Sequence, residues 1–384
     1  MDPAKWAAGM LGAAVALSVL LTRPVLAQPA LNAGMGSTGG NSYPVGMVSR
    51  RFVPEEPYDW RGARTHALNA VVWYPAAAGV REKPLRAPGL EIFELGSVAQ
   101  GAPLAASAAG FPLVVISHGT GGSALSLAWL GEALAAHGYI AAAVNHPGNN
   151  AGEPYTARGF SIWWERARDL SETINGMLTD AKLGDHIDRE RIGAAGFSLG
   201  GYTMIEIAGG LTDVRGFVRF CDAENAPGTC TSPPEFPSLP RDFRTLIREH
   251  PEMLRDSGDS FRDARVRAVF AMAPALGPAF PAASLEKISI PVQIVAGASD
   301  RNVPIALSAK YFAAKIPGAK LHIFPGKVAH YAFLDSCTAR GRKSLPILCI
   351  DGPGVHRDAI HAETVRLALR FFRVTLQPSG QTRK

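Results

Sequence analysis

A serine, an aspartate and a histidine, met in that order along the chain, have the types and spacing for nucleophilic chemistry. Ser198 stands in "RIGAAGFSLGGYTM", residues 191–204, after a β-type run and before a helix-type run. Serine favours neither element strongly, so local propensity does not call for it there. A strand that turns sharply into a helix strains its corner residue, and only small residues fit two positions to either side. Gly196, Gly200 and Gly201 meet that need. This is the G-x-S-x-G nucleophile elbow in the strand–turn–helix context it requires. The turn lifts the serine oxygen above a sheet and aims the N–H groups of a helix start at a reacting carbonyl.

A serine hydroxyl is a weak nucleophile; it needs a base, and the base needs an orienting acid. With this elbow they follow in the order Ser, Asp or Glu, His. "IVAGASDRNVP" places Asp300 just past a strand, and "FPGKVAHYAF" places His330 in the loop after the next one. Both fall at carboxyl ends of strands, where open α/β sheets build sites. His356 and His361 also follow Asp300, but they precede or begin the last helix with no strand immediately before them. Asp222 is the rival acid. A tetrahedral intermediate needs donors for its oxyanion. The Leu199 N–H, next to the nucleophile, is one; Thr120, in the loop "HGTGG" (118–122), is expected to supply the other. His118 reads as a brace for that loop rather than a second base.

The elements that must position these residues alternate in type. Strand-like segments are "HALNAVVWYP", "FPLVVISHG", "YIAAAVNHPG", "RIGAAGF", "VRAVFAMAP", "PVQIVAG" and "KLHIFPG". Helical patterns lie in "LSLAWLGEALAAHG", "ERARDLSETINGMLTDA", "VPIALSAKYFAAKI" and "HAETVRLALRFFRVTL". Short apolar strands without alternation are buried on both faces, which means a mostly parallel sheet covered by helices. About eight strands are expected. Residues 212–263, rich in proline and without a strand pattern, read as an insertion or lid over the sheet edge. Trp163 and Trp164 in "SIWWERARD" suit an acyl or aryl pocket and ordinary helix packing equally.

Composition sets the limits. The 384 residues are 47% hydrophobic, 8% aromatic and 19% charged, with a net charge of +6. That is globular composition, and the basic residues are scattered rather than striped, which argues against nucleic-acid binding. Lys5 precedes a 16-residue apolar run, Trp6 to Leu21, and small residues end at Ala27. The run is short of the ~20 residues that span a bilayer. Residues 1–27 therefore read as a cleaved signal peptide, leaving no stable membrane insertion and a periplasmic or secreted protein. Residues 28–44 are a Gly/Ser-rich lead-in, 45–376 the folded domain and 377–384 a tail. Four cysteines suit an oxidising compartment, and proximity favours Cys221–Cys230 with Cys337–Cys349. Spacings of 9 and 12 residues do not match a zinc pattern.

With these residues in hand, the chain resembles the α/β-hydrolases. More narrowly it resembles a dienelactone hydrolase group related to platelet-activating-factor acetylhydrolases. The resemblance spans roughly residues 45 to 375 and rests on "VVWYP", "SHGTGG", "GFSLGG", "GASD" and "AHYAF" in that order. It implies the α/β-hydrolase fold and a serine esterase acting on small or short-acyl esters, without metal or organic cofactor. Dienelactone hydrolases place a cysteine where this chain has Ser198. The acetylhydrolases carry their acid after the strand that here reads "AVFAMAPAL", which holds no carboxylate. An amidase, a peptidase or an acyltransferase would use the same three residues. A binding module without chemistry would have a broken constellation, and nothing here is broken. Oligomeric state is not written in these motifs.

Overall fold

A computed structural model describes residues 42–87, 91–223, 230, 247 and 249–377. The expected signal segment, most of the lead-in, much of the insertion and residues 378–384 lie outside the described residues. The strands are β1 Val45–Phe52, β2 Leu68–Pro75, β3 Lys83–Pro84, β4 Ser97–Gln100, β5 Phe111–Ser117, β6 Ile140–Val144, β7 Ile187–Phe197, β8 Val266–Met272, β9 Val292–Gly297 and β10 Lys320–Phe324. They form one sheet in the order β10-β9-β8-β7-β5-β6-β2-β1-β4-β3. From β10 to β6 all neighbours run parallel. β2 joins β6 antiparallel, and β1 joins β2 antiparallel. Ten strands rather than about eight are therefore seen among the described residues. The additions sit on one side: β3 and β4 are two and four residues long, too short to show a period.

Sequence dictates this layering. Every residue of β5 is buried, and its alternate side chains enter opposite cores: Leu113 and Val115 one, Val114 and Ile116 the other. Helix α1, Ala128–Ala136, fills the second core with Leu130 and Leu134. Helices α2, Glu165–Leu178, and α3, Leu199–Ile207, fill the first with Leu170, Ile174 and Ile205. Helix α4 is Val214–Asp222 and α5 is Ala309–Lys315. Helix α6, Arg357–Thr375, closes the second core with Phe371 and Phe372. The insertion lies in the chain between β7 and β8, which are neighbours in the middle of the sheet. Its first helix, α4, sets Phe217 against Trp163, with ring centroids 5.4 Å apart. Among the described residues, no helix is long and apolar enough to cross a membrane.

Candidate active site

The corner between β7 and α3 carries the strain its sequence implies. Ser198 has φ +56° and ψ −115°, a region that costs a non-glycine residue on the order of 1–3 kcal/mol. The surroundings hold it there: its N–H donates to the Met272 carbonyl at 2.9 Å, and its carbonyl accepts from Ala275 and Tyr202 at 3.0 Å. The glycines are required by contact. A Cβ on Gly196 would lie 2.2 Å from the Gly200 carbonyl oxygen, and one on Gly200 would lie 2.0 Å from the Ser117 carbonyl oxygen. On Gly201 it would meet Pro274 Cα at 2.6 Å.

Loops after β9 and β10 bring the partners to this serine. His330 Nδ1 donates to Asp300 Oδ2 at 2.7 Å, and the Ser198 hydroxyl lies 2.9 Å from His330 Nε2. Because Nδ1 faces a carboxylate it carries the ring proton, which leaves Nε2 free to accept from the serine. The second carboxylate oxygen, Asp300 Oδ1, accepts the Val303 N–H at 2.8 Å. Residues 301–308 are a set of turns, so the helix expected over 303–316 begins only at Ala309. The Phe197 ring lies 4.8 Å from the His330 ring, and both His330 and Asp300 are buried. His356 instead precedes α6, and His361 stacks on Trp129 at 4.2 Å. Asp222 ends α4 on an exposed face.

The loop 118–122 lies against the serine: a Cβ on Gly119 would be 3.3 Å from Ser198 Cβ. The His118 ring shapes it. Nδ1 donates to the Gly119 carbonyl at 2.6 Å, while Nε2 accepts the His146 N–H at 3.3 Å. A trans peptide points its C=O and N–H in opposite directions, so the Thr120 N–H is aimed away from the His118 ring. Neither that N–H nor the Leu199 N–H has a hydrogen-bond acceptor among the described residues. Asn149 fixes the next turn, with Oδ1 accepting the Gly121 N–H at 2.6 Å, and the Tyr155 hydroxyl donates to the Gly121 carbonyl at 2.9 Å. Burial, reinforced by the Arg166 guanidinium, pushes the His118 pKa well down, so the ring is neutral at pH 7.

Behind this loop lies a buried polar network that the sequence motifs do not reveal. Ser117, at the end of β5, donates to His146 Nε2 at 2.8 Å, and His146 Nδ1 donates to Asp169 Oδ2 at 2.6 Å. Asp169 also accepts Arg61 Nη2 at 2.7 and 2.8 Å and the Tyr58 hydroxyl. Arg166 Nη2 donates to the His118 carbonyl and, at 3.4 Å, to Ser117 Oγ. The signal was on α2: Arg166, Asp169 and Thr173 share its buried stripe with Leu170, Ile174 and Met177. On α3, Glu206 accepts the Tyr202 hydroxyl at 2.9 Å and, from beyond the helix, the Thr212 hydroxyl at 2.7 Å. Burial pushes the Glu206 carboxyl up to about 8. Trp163 and Trp164 are buried in the core cluster that also holds Tyr202, with the Trp163 ring centroid 6.4 Å from that of Tyr202.

The cysteines are joined as Cys221–Cys230 and Cys337–Cys349. Among the described residues, no three His, Cys, Asp or Glu side chains are grouped to hold a metal ion.

Residues 113–339 match the alpha/beta hydrolase family, a span that takes in the elbow and both loops. Over 104 residues the chain is 32% identical to Cutinase est1 and to Cutinase est2 of Thermobifida alba. It is 30% identical over the same length to Cutinase 2 of Thermobifida cellulosilytica. Each match takes in 27% of this chain and about a third of the relative: 32%, 31% and 36%. A solved structure, that of a ferulic acid esterase from Streptomyces cinnamoneus, has the same fold. It covers 91% of this chain and 95% of its own, with TM-score 0.57 and 20% identity. The chain belongs to the alpha/beta hydrolase family.

Proposed function

We propose that this protein is a serine carboxylic-ester hydrolase acting on small or short-acyl esters. One observation carries the reading: a single hydrogen-bonded chain, Ser198 to His330 to Asp300, begins at a strained strand–helix corner. Ser198 Oγ attacks the ester carbonyl while His330 Nε2 takes its proton, and the carbonyl π pair moves onto oxygen. The Leu199 and Thr120 N–H groups receive that oxyanion. On collapse, the C–O bond to the alcohol breaks and His330 returns the proton to the leaving oxygen. Water then repeats the sequence on the acyl-serine, releasing the acid. Asp300 holds the imidazole in its Nδ1–H form and stabilises the imidazolium. None of these steps calls for a metal or an organic cofactor.

Relatives named as cutinases, and a fold neighbour named as a ferulic acid esterase, support ester substrates. The narrower placing beside dienelactone hydrolases and platelet-activating-factor acetylhydrolases rests on the sequence motifs alone. Two disulfides and the apolar leader support export to the periplasm or medium, with cleavage after Ala27. A panel of p-nitrophenyl esters of increasing acyl length tests the reading. Turnover should be highest on short acyl chains and abolished by Ser198→Ala; a wild-type chain inert to every member would overturn it.

A further inference from the structure

The guanidinium of Arg166 is only 1% exposed and forms no ion pair among the described residues. Its Nε and Nη1 have no hydrogen-bond partner, and all its bonding runs through Nη2. An unpaired buried cation is costly, on the order of several kcal/mol. Where its one bonding nitrogen points is therefore informative. Nη2 donates to the carbonyl of His118, the residue that opens the loop against Ser198. It also donates to Ser117 Oγ, from which donation continues through His146 to Asp169. The series runs one way, from a cation to a carboxylate, and each member fixes the next.

Ser117, His146 and Asp169 thus repeat the residue types and order of contact of the outer constellation, but none is open to substrate. Each of the three has 0% exposure. Ser117 is anchored at both ends, so it is a relay rather than a nucleophile. Arg61 pairs with Asp169, which leaves Arg166 as the uncompensated charge of the group.

Resting on the esterase reading, we propose that Arg166 is a positioning residue for the oxyanion loop. Its buried charge, held by the Ser117–His146–Asp169 relay, orients the His118 carbonyl and stabilises the oxyanion from behind. One residue, Gly119, separates His118 from Thr120, two Cα steps or at most ~7.6 Å of backbone. A unit charge about 10 Å from the oxyanion, at an effective dielectric of ~20, is worth on the order of 15-fold in rate.

The test measures kcat and KM on p-nitrophenyl acetate for wild type, Arg166→Met and Ser117→Ala, per active site counted by fluorophosphonate titration. It also measures inhibition by a trifluoromethyl ketone, whose adduct with Ser198 carries the oxyanion. Arg166→Met should lower kcat on the order of 15-fold at unchanged KM and weaken the ketone by the same factor. Ser117→Ala, which keeps the charge and frees the side chain, should do the same by a few-fold and keeps the test alive if Arg166→Met does not fold. Folded variants with kcat and ketone affinity within twofold of wild type, or with only KM changed, overturn the proposal. A wild type that neither turns over the ester nor labels instead overturns the esterase reading, so the two failures are distinct.

Discussion

Replacing Asp300 by asparagine removes a charge and adds a donor without changing shape, and the local geometry sets the consequence. The carboxylate accepts two N–H groups: His330 Nδ1 at Oδ2, 2.7 Å, and Val303 N at Oδ1, 2.8 Å. An amide has one oxygen to offer. If its NH2 faces His330, the ring must move its proton to Nε2, where it donates to Ser198 and can no longer act as base. If the NH2 faces Val303, two donors meet at 2.8 Å and a buried hydrogen bond is lost, at about 1–3 kcal/mol. The imidazolium also loses its counter-charge in either case. The expected loss in kcat is about 10⁴-fold, equivalent to ~5 kcal/mol of transition-state stabilisation. The melting temperature should fall by only a few degrees, since shape and one bond survive. The assay is steady-state hydrolysis of p-nitrophenyl butyrate beside thermal melting by circular dichroism, with Asp222→Asn as the control. A folded Asp300→Asn within tenfold of wild type, or a damaging Asp222→Asn, would refute the assignment of the acid.

Three further outcomes are expected from the packing. Gly200→Ala drives a Cβ to 2.0 Å from the Ser117 backbone oxygen, so it should lower stability by at least ~3 kcal/mol. Gly258→Ala, with nothing within 4 Å of its Cβ, should melt as wild type. Cys337→Ser with Cys349→Ser opens a 12-residue separation, for which chain entropy gives ~3 kcal/mol. Melting should drop, while kcat should fall less because Arg357 still binds the Asp335 and Leu348 carbonyls at 3.0 and 2.7 Å; an unchanged melting point would contradict this. Glu206 is protonated when folded, its pKa near 8 against the ordinary 4.5 of the unfolded chain. Its contribution is therefore complete at low pH and is lost as pH rises from about 4.5 through about 8, at ~1.4 kcal/mol per pH unit. Glu206→Gln should flatten the fall of melting temperature over that range, and parallel curves for the two proteins would count against it.

How much of this was legible in the sequence depends on how local each cause is. The elbow was readable because Gly196 and Gly200 are demanded by contacts within a few residues of Ser198. Asp300 and His330 were readable because each follows a short apolar strand, so chain order fixes their side of the sheet. β1, Val45–Phe52, was not, since Arg50 and Arg51 interrupt its apolar pattern at the less buried end. The helix over 303–316 was overstated at its start, where residues 301–308 close as turns, with the Leu307 N–H on the Pro304 carbonyl and the Lys310 N–H on the Ile305 carbonyl, closures that propensity does not tell from a helix. The inner relay depended on contacts far apart in sequence, such as Arg61 with Asp169. Two charged residues within the apolar stripe of α2 were its only local trace.

The most direct measurement is mass spectrometry of the protein after reaction with a fluorophosphonate. One adduct per chain is expected, on the peptide holding Ser198, with none on Ser198→Ala and a rate greatly slowed by His330→Ala. Absence of an adduct on the folded wild type, or an adduct on Ser117 in place of Ser198, would contradict it.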